Sequence, residues 1–377
     1  MQNSLKNSVQ NIDKVFKKVL DKERLSIDDA LLLYHDAPLL CLANLADQRR
    51  FELHPERVIT FVVDRNINYT NICSSCCLFC AFYKKATSEN LSNQNGRESE
   101  GYVISKESLY QKIEETIALG GTQILLQGGM NPNLDLNYYL DLLQFIKKNF
   151  DIHIHGFSPP EIWWLAKCSS LSVKDTILAL KEAGLGSIPG GGAEILCDEI
   201  RQKLSPNKCT AVEWLDVMEI AHELGLKSTA TMMFGHIESA SHIFDHLDKI
   251  RSLQDRTGGF TAFIPWTFQP DNTQLNLINR NIKKASAAEY LRVLALSRIF
   301  LDNFDNIQAS WVTQGDKIAQ TALFYGANDM GSTMIEENVV ASAGVNFMLP
   351  EKELRRLIEK AGFTPKQRDC FYNLITT

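Results

Sequence analysis

Four of the nine cysteines crowd into one short stretch, NYTNICSSCCLFCAFYKK, at Cys73, Cys76, Cys77 and Cys80. Closely spaced thiols are the signature of a metal or cluster site, and an odd total in a chain this long does not describe a disulfide framework. Cys73, Cys77 and Cys80 read C-x3-C-x2-C, with Cys76 an extra thiol inside the span. An iron–sulfur cube held by three thiolates leaves one iron without a protein ligand, and a reactive cluster needs that open position. Two plainer readings stand beside it. The same residues form two abutting C-x2-C pairs that could close a zinc tetrahedron, although zinc sites ordinarily separate their pairs by a longer loop. Four unligated core thiols are the other reading, since free cysteine packs well.

Other residues could do chemistry around such a centre. Gly128-Gly129 after Gln127 lets a backbone approach a ligand closely, or simply makes a turn before Pro132. Ser158 and Glu161 flank Pro159-Pro160, which reads as a helix cap or as a pair of ligand contacts. His153 and His155 share a strand face by alternation. Gly190-Gly191-Gly192 forms a permissive loop before Glu194, a carboxylate that either meets a ligand or opens a solvated helix. Trp266, Gln269, Trp311, Thr313 and Gln314 lie where later strands end and could line a pocket for an aromatic substrate, or serve as packing. The phosphate loop GxxxxGK[ST] is absent.

The elements that must position these residues alternate. Candidate strands are 58–67, 122–128, 152–157, 186–190, 227–235, 260–268, 307–313 and 329–335. Amphipathic helical runs separate most of them, at 105–119, 136–148, 173–183, 211–224 and 285–301. Strand and helix repeated about eight times predict an α/β fold with a parallel sheet, of the scale of a (β/α)8 TIM-type barrel. An open doubly wound sheet is the competing architecture. Residues 1–50 read as a helical N-terminal segment, 51–345 as the barrel domain and 346–377 as a helical C-terminal extension. Ser26 before Asp28 and Asp29 reads as a helix N-cap. The polar stretch 86–100 reads as a surface loop.

Composition narrows the classes. The 377 residues carry a net charge of −6, which argues against a broad nucleic-acid surface. No stretch approaches the apolar length of a membrane span, and no export signal is visible, so the expected location is the reducing cytoplasm.

The cysteine spacing, with the aromatic Phe79 before the last cysteine, resembles the radical S-adenosylmethionine (SAM) superfamily. The segments GGTQILLQGGMNP, HIHGFSPPEI, SIPGGGAEIL, TATMMFGHIE, GGFTAFIPWTFQPDNT, IQASWVTQG and GANDMGSTMIEENVV extend the likeness. From about residue 25 to 372 they resemble the cyclic dehypoxanthine futalosine synthase family of menaquinone biosynthesis. The resemblance implies a [4Fe-4S] cluster on Cys73, Cys77 and Cys80, with SAM chelating the fourth iron. It implies SAM contacts from Phe82, Gln127, Gly128, Gly129, Ser158, Glu194 and Met233, and a substrate-facing or proton-accepting role for His236 and Glu194. Relatives tend to carry a basic residue where this chain has Cys76. The implied substrate is dehypoxanthine futalosine: a 5′-deoxyadenosyl radical takes hydrogen from ribose C4′, and the carbon radical closes onto the benzoate ring. The implied partner is an external electron donor such as flavodoxin or ferredoxin, with no nucleic acid and no membrane. Sibling aminofutalosine or deazaflavin-precursor synthases share the cysteine motif; TAFIPWTFQPDNT and IPGGGAE favour the cyclase. Outside enzymes, a zinc-stabilised binding module is the rival.

Overall fold

The computed structural model describes residues 2–87, 101–345 and 347–375, with the backbone alone for residues 2–10. The expected surface loop at 86–100 lies outside the described residues from position 88 onward.

Three helices lead the chain: α1 (Gln2–Leu20), α2 (Ile27–Asp36) and α3 (Leu39–Leu53). Ser26 starts α2 as expected. Its hydroxyl accepts the Asp29 N–H at 3.1 Å, and the Asp29 carboxylate accepts the Ser26 N–H at 3.0 Å. This reciprocal cap satisfies two otherwise orphaned donors.

The next extended run is split at Val63 into β1 (Val58–Val62) and β2 (Asp64–Asn68). β2 opens a parallel six-stranded sheet whose order follows the sequence. Its other members are β3 (Gln123–Gln127), β4 (His153–Gly156), β5 (Ser187–Ile188), β6 (Lys227–Phe234) and β7 (Phe260–Thr267). β1 lies between β8 (Asp329–Ser332) and β9 (Thr364–Gln367), parallel to both. Isolated parallel bridges, Phe263 with Ile307 and Gln308 with Asp329, join β7 to β8. The ring therefore closes, and the architecture is the (β/α)8 barrel expected from the sequence.

The intervening helices follow in chain order. They are α4 (Lys106–Ala118), α5 (Leu136–Asn149), α6 (Pro159–Cys168), α7 (Val173–Ala183), α8 (Asp198–Leu204) and α9 (Ala211–Glu223). Then come α10 (Ala240–Thr257), α11 (Gln274–Ile278), α12 (Ala287–Phe300), α13 (Trp311–Gln314), α14 (Asp316–Ala322) and α15 (Glu351–Lys360). Among the described residues no helix is long and apolar enough to cross a membrane.

Two expectations are corrected. The seventh strand, expected over 307–313, pairs only at Ile307 and Gln308, and Trp311–Gln314 forms a helical turn. The buried Trp311 indole needs an acceptor; its Nε1–H donates to the Ser332 carbonyl at 2.9 Å, and Tyr290 Oη accepts the Ser310 N–H at 2.7 Å. The C-terminal extension is not wholly helical, because β9 follows α15. Its sequence, TPKQ, has no apolar alternation, and its place is set by backbone pairing of Val58 with Thr364 through Phe61 with Gln367. As an edge strand it tolerates Pro365.

Candidate active site

Alternation along the barrel strands sorts residues into two sets. Ile67, Ile124, Leu126, Ala230 and Met232 are fully buried in the apolar core. Their neighbours Asp64, Asn66, Gln123, Gln127, Thr229 and Thr231 line a cavity of about 280 Å³. Barrel interiors are ordinarily filled by branched aliphatic side chains. The lining is mostly apolar, and these few polar groups converge on it, which is the make-up of a small-molecule binding site. His155, Trp266, Trp311 and Thr313 also line it. Gln269 and Gln314 do not; both donate from Nε2 to the Thr267 hydroxyl, at 3.1 Å and 2.6 Å.

The cysteine loop leaves the end of β2 and rests on the end of β3. Cys73 Sγ accepts the N–H groups of Ser75 (3.4 Å) and Met130 (3.3 Å), and Cys80 Sγ is bonded by the N–H groups of Phe82 and Tyr83. Cys77 Sγ lies 2.9 Å from the Ser75 hydroxyl. Burial pushes the Cys77 thiol up to about 12, while Lys208 pulls it the other way. Burial also raises Cys73 and Cys80 against the pull of their N–H donors and Lys208. Backbone N–H groups aimed at sulfur suit thiolates that carry charge into an iron–sulfur cluster. Among the described residues no three or more His, Cys, Asp or Glu side chains gather closely enough to hold a single metal ion. A four-iron cube is broader than one ion and meets its thiolates at separate corners. Cys76 adopts the left-handed region, with φ of +50°, and is partly exposed.

Glu194 stands beside this loop, buried and also left-handed at φ +41°. Lys208 Nζ donates to its Oε1 at 3.0 Å, and Arg201 lies 3.7 Å from Oε2. Among the described residues Oε2 has no hydrogen-bond partner, so a buried carboxylate oxygen is left with capacity to accept a further donor. Burial works against the Lys208 charge, but Cys77 and Glu194 hold its pKa above the ordinary lysine value. Arg201 is anchored by donating to the carbonyls of Gly192, Ala193 and Cys209. The segment carrying these cations touches the cysteine loop directly, through Leu78 N–H to Leu204 O at 2.8 Å. Sequence reading missed both cations, because charges on and just after a short helix resemble a solvated face.

Glu161 is the hub that aligns the glycine pair. Its Oε1 accepts the Tyr69 hydroxyl (2.7 Å) and the Gly128 N–H (2.9 Å), and its Oε2 accepts the Ser158 N–H (2.7 Å) and the Ser158 hydroxyl. The glycines are demanded by the protein itself. A Cβ on Gly128 would lie 2.5 Å from the Tyr69 ring, and one on Gly129 would lie 2.2 Å from the Ile72 carbonyl oxygen. Phe82 is partly exposed beside Cys80, and Met233 is buried with its N–H on the Glu194 carbonyl at 3.1 Å. His236 is not among the cavity-lining residues. Its Nε2 meets the Met233 carbonyl at 3.1 Å and its Nδ1 meets Glu238 at 2.8 Å. Burial opposes the Glu238 charge, yet His236 and the N–H groups of Gly235 and His236 hold that carboxyl down at about 2.

The opposite end of the cavity is floored by the segment after β9. Arg368, Cys370 and Tyr372 line it. Arg368 donates to both oxygens of Asp329, at 2.5 Å from Nε and 3.0 Å from Nη2. Asp329 also accepts from Thr60 at 2.5 Å and from the Gly331 N–H at 2.7 Å. Asp64, which burial pushes upward, bonds Ser332 and accepts from Gln123 at 2.7 Å.

Comparison with known proteins agrees with this geometry. Residues 67–250 match the Radical SAM superfamily, and residues 257–377 match the CofH/MqnC C-terminal region. The chain is 44% identical over 368 residues to the cyclic dehypoxanthine futalosine synthase of Halalkalibacterium halodurans, covering 97% of this chain and 96% of that one. It is 43% identical over 337 residues to the 5-amino-6-(D-ribitylamino)uracil–L-tyrosine 4-hydroxyphenyl transferase of Archaeoglobus fulgidus, covering 88% and 93%. Among solved structures, the FeFe-hydrogenase maturase HydG from Carboxydothermus hydrogenoformans shares the fold, with a TM-score of 0.75 at 17% identity over 97% of this chain and 82% of that one. Membership of the superfamily brings a [4Fe-4S] cluster and SAM as cofactors, and the donor-rich thiols of the loop fit that cluster. A hollow with converging polar groups beside a three-cysteine loop, in a chain this similar to known synthases, leads to one conclusion: the chain is a radical SAM enzyme and belongs to the cyclic dehypoxanthine futalosine synthase family.

Proposed function

We propose that this enzyme converts dehypoxanthine futalosine into its cyclic product. The observation that carries the reading is the 44% identity to a synthase of that name over nearly the full length of both chains. The cofactor pair, when bound, supplies a 5′-deoxyadenosyl radical that abstracts a hydrogen atom from substrate. Cys73, Cys77 and Cys80 hold the cluster. Gln127, which lines the cavity, runs directly into Gly128-Gly129 against the Cys73 loop, so one strand end serves both substrate and SAM. Glu194, through Oε2, which pairs with Arg201 at 3.7 Å but accepts no hydrogen bond among the described residues, accepts one from a hydroxyl of the SAM ribose. Ser158, Phe82 and Met233 complete the SAM wall, and His236 positions Glu238 and the Gly235 turn. Trp266 and Trp311 flank the benzoate ring, and the few polar groups of the lining hold the sugar so that C4′ faces the ring before reaction. A flavodoxin or ferredoxin supplies the reducing electron.

A second reading has its own support. The 43% identity to the archaeal transferase points to a reaction joining a ribitylaminouracil and tyrosine. The anaerobic holoenzyme, with a reductant and SAM, is offered each substrate set in turn. Cyclised product appearing together with 5′-deoxyadenosine from dehypoxanthine futalosine supports the cyclase. Turnover only with tyrosine and the ribitylaminouracil replaces it with the transferase.

A further inference from the structure

The barrel wall contains a hydrogen-bonded chain to which no role has been given above. His153 and His155 sit two residues apart on β4, facing β5, where His155 pairs in register with Ser187. The Ser187 hydroxyl lies 2.6 Å from His155 Nδ1 and 2.7 Å from His153 Nε2. His155 is buried and lines the cavity; its Nε2 has no protein partner among the described residues. His153 is at the start of β4 and is partly exposed. The chain therefore begins in the cavity and ends near solvent at the N-terminal end of the barrel.

We propose that His155, Ser187 and His153 form a proton path out of the cavity, with His155 receiving the proton that the substrate loses. A hydroxyl has one proton. Between two imidazole nitrogens it donates to a bare nitrogen and accepts from an N–H. One ring must then present N–H to Ser187 and the other a lone pair. Moving each proton along by one bond reverses both tautomers and transfers one proton from end to end. The hydroxyl's third neighbour, Cys370 Sγ at 3.2 Å, is placed to donate to it without interrupting the path.

Surrounding groups favour passage over storage. Burial, then His153 and Arg368, hold the His155 pKa down at about 3, so the ring rests neutral and does not retain a proton passed to it. Burial lowers His153 as well, with Asp369 pulling upward and Lys147 downward. Phe371 packs edge-on against His153 at 5.0 Å, and an added Cβ on Gly186 would strike the same ring at 2.5 Å, which fixes its plane. Arg368, Asp369 and Cys370 approach from the segment after β9, and Lys147 from α5.

The catalytic part of this assignment rests on the proposed cyclisation; the path itself does not. After ring closure, the radical adduct must lose one proton and one electron to regain aromaticity. The ring C–H bond breaks and an N–H bond forms at His155 Nε2. The bonding pair stays in the ring as a radical anion, and the surplus electron passes to a one-electron acceptor of the iron–sulfur class.

Two measurements test this. Nitrogen NMR of the histidine-labelled holoenzyme should show, at the two nitrogens facing Ser187, one protonated and one bare; both protonated or both bare overturns the path, whatever the substrate. In single-turnover assays, Ser187→Ala should slow cyclised product about a hundredfold while the 5′-deoxyadenosine burst and KM stay at wild-type levels. Ser187→Thr, which keeps the hydroxyl, should restore most of the rate. Ser187→Ala at the wild-type rate, or Ser187→Thr as slow as Ser187→Ala, overturns the catalytic role. A wild type that makes no cyclised product under any condition instead removes the cyclase reading and leaves the NMR result to judge the path.

Discussion

The two ends of the barrel treat buried charge in opposite ways. At the floor, Asp329 is saturated by Arg368, Thr60 and a backbone N–H. At the mouth, Glu194 keeps one buried oxygen without a hydrogen bond among the described residues, and three raised thiols sit beside Lys208. A saturated buried network rigidifies its surroundings and is costly to break; an unsaturated one is held in place only by the rest of the fold. The floor is thus built to hold the barrel, and the mouth to receive something.

The sharpest separation comes from Cys77→Ala. Loss of one cluster thiolate should take iron content and 5′-deoxyadenosine formation to background, with the denaturation midpoint little changed. A variant that keeps its full iron–sulfur absorption contradicts the assignment. Arg368→Met should do the reverse. Removing one partner of a buried pair leaves Asp329 uncompensated and costs about 3–5 kcal/mol in urea unfolding, with iron content per folded chain unchanged. Gly129→Ala bears on the joint between the regions. Its Cβ would drive into the Ile72 carbonyl, and overpacking of about 1–3 kcal/mol is met by shifting the cysteine loop, so reconstituted iron should fall before global stability does.

The smallest effect is a titration. Burial, with Lys227 assisting, lowers the His222 pKa from 6.5 to about 4 in the folded chain. The unfolded chain therefore takes up this proton first, and stability falls as pH drops through 6.5, levelling near pH 4. At pH 5.5 the cost is about 1.4 kcal/mol for this one group, and His222→Gln should remove that part of the slope. An unchanged slope in the variant would show that other groups carry it.

Much of this division was legible beforehand. Short β-rich runs between amphipathic helical segments point to the strands, and the spacing of Cys73, Cys77 and Cys80 points to a cluster loop. Of the five residues expected to line a pocket, Trp266, Trp311 and Thr313 do, because strand ends face the barrel mouth, while Gln269 and Gln314 turn to the Thr267 hydroxyl. Two causes hide the paired charges. Arg368 and Asp329 pair across 39 residues, and such pairing leaves no local pattern; Arg201 and Lys208 pair close by, but charges on and just after a short helix resemble a solvated face. β9 escaped because its position comes from backbone hydrogen bonds, to which TPKQ contributes no apolar signal. The seventh strand was overextended because IQASWVT reads as β-prone, while Trp311 is turned by its bond to Ser332. Glu161 was read as a cap or a ligand contact; it is a cap whose second oxygen reaches across to Tyr69 and Gly128.

The pairing of β1 with β8 and β9 also bears on biosynthesis. Val58 leaves the ribosome long before Thr364, its partner in register, and Thr60 long before Asp329. Through most of translation β1 has neither neighbour, and an unpaired parallel strand is both slow to settle and prone to adhere to other chains. The cysteine loop, made soon after β1, spends the same interval without a finished barrel behind it. Cluster delivery to a nascent chain would therefore meet an unbuilt site, whereas delivery after β9 has docked would meet the loop already seated on Gly129.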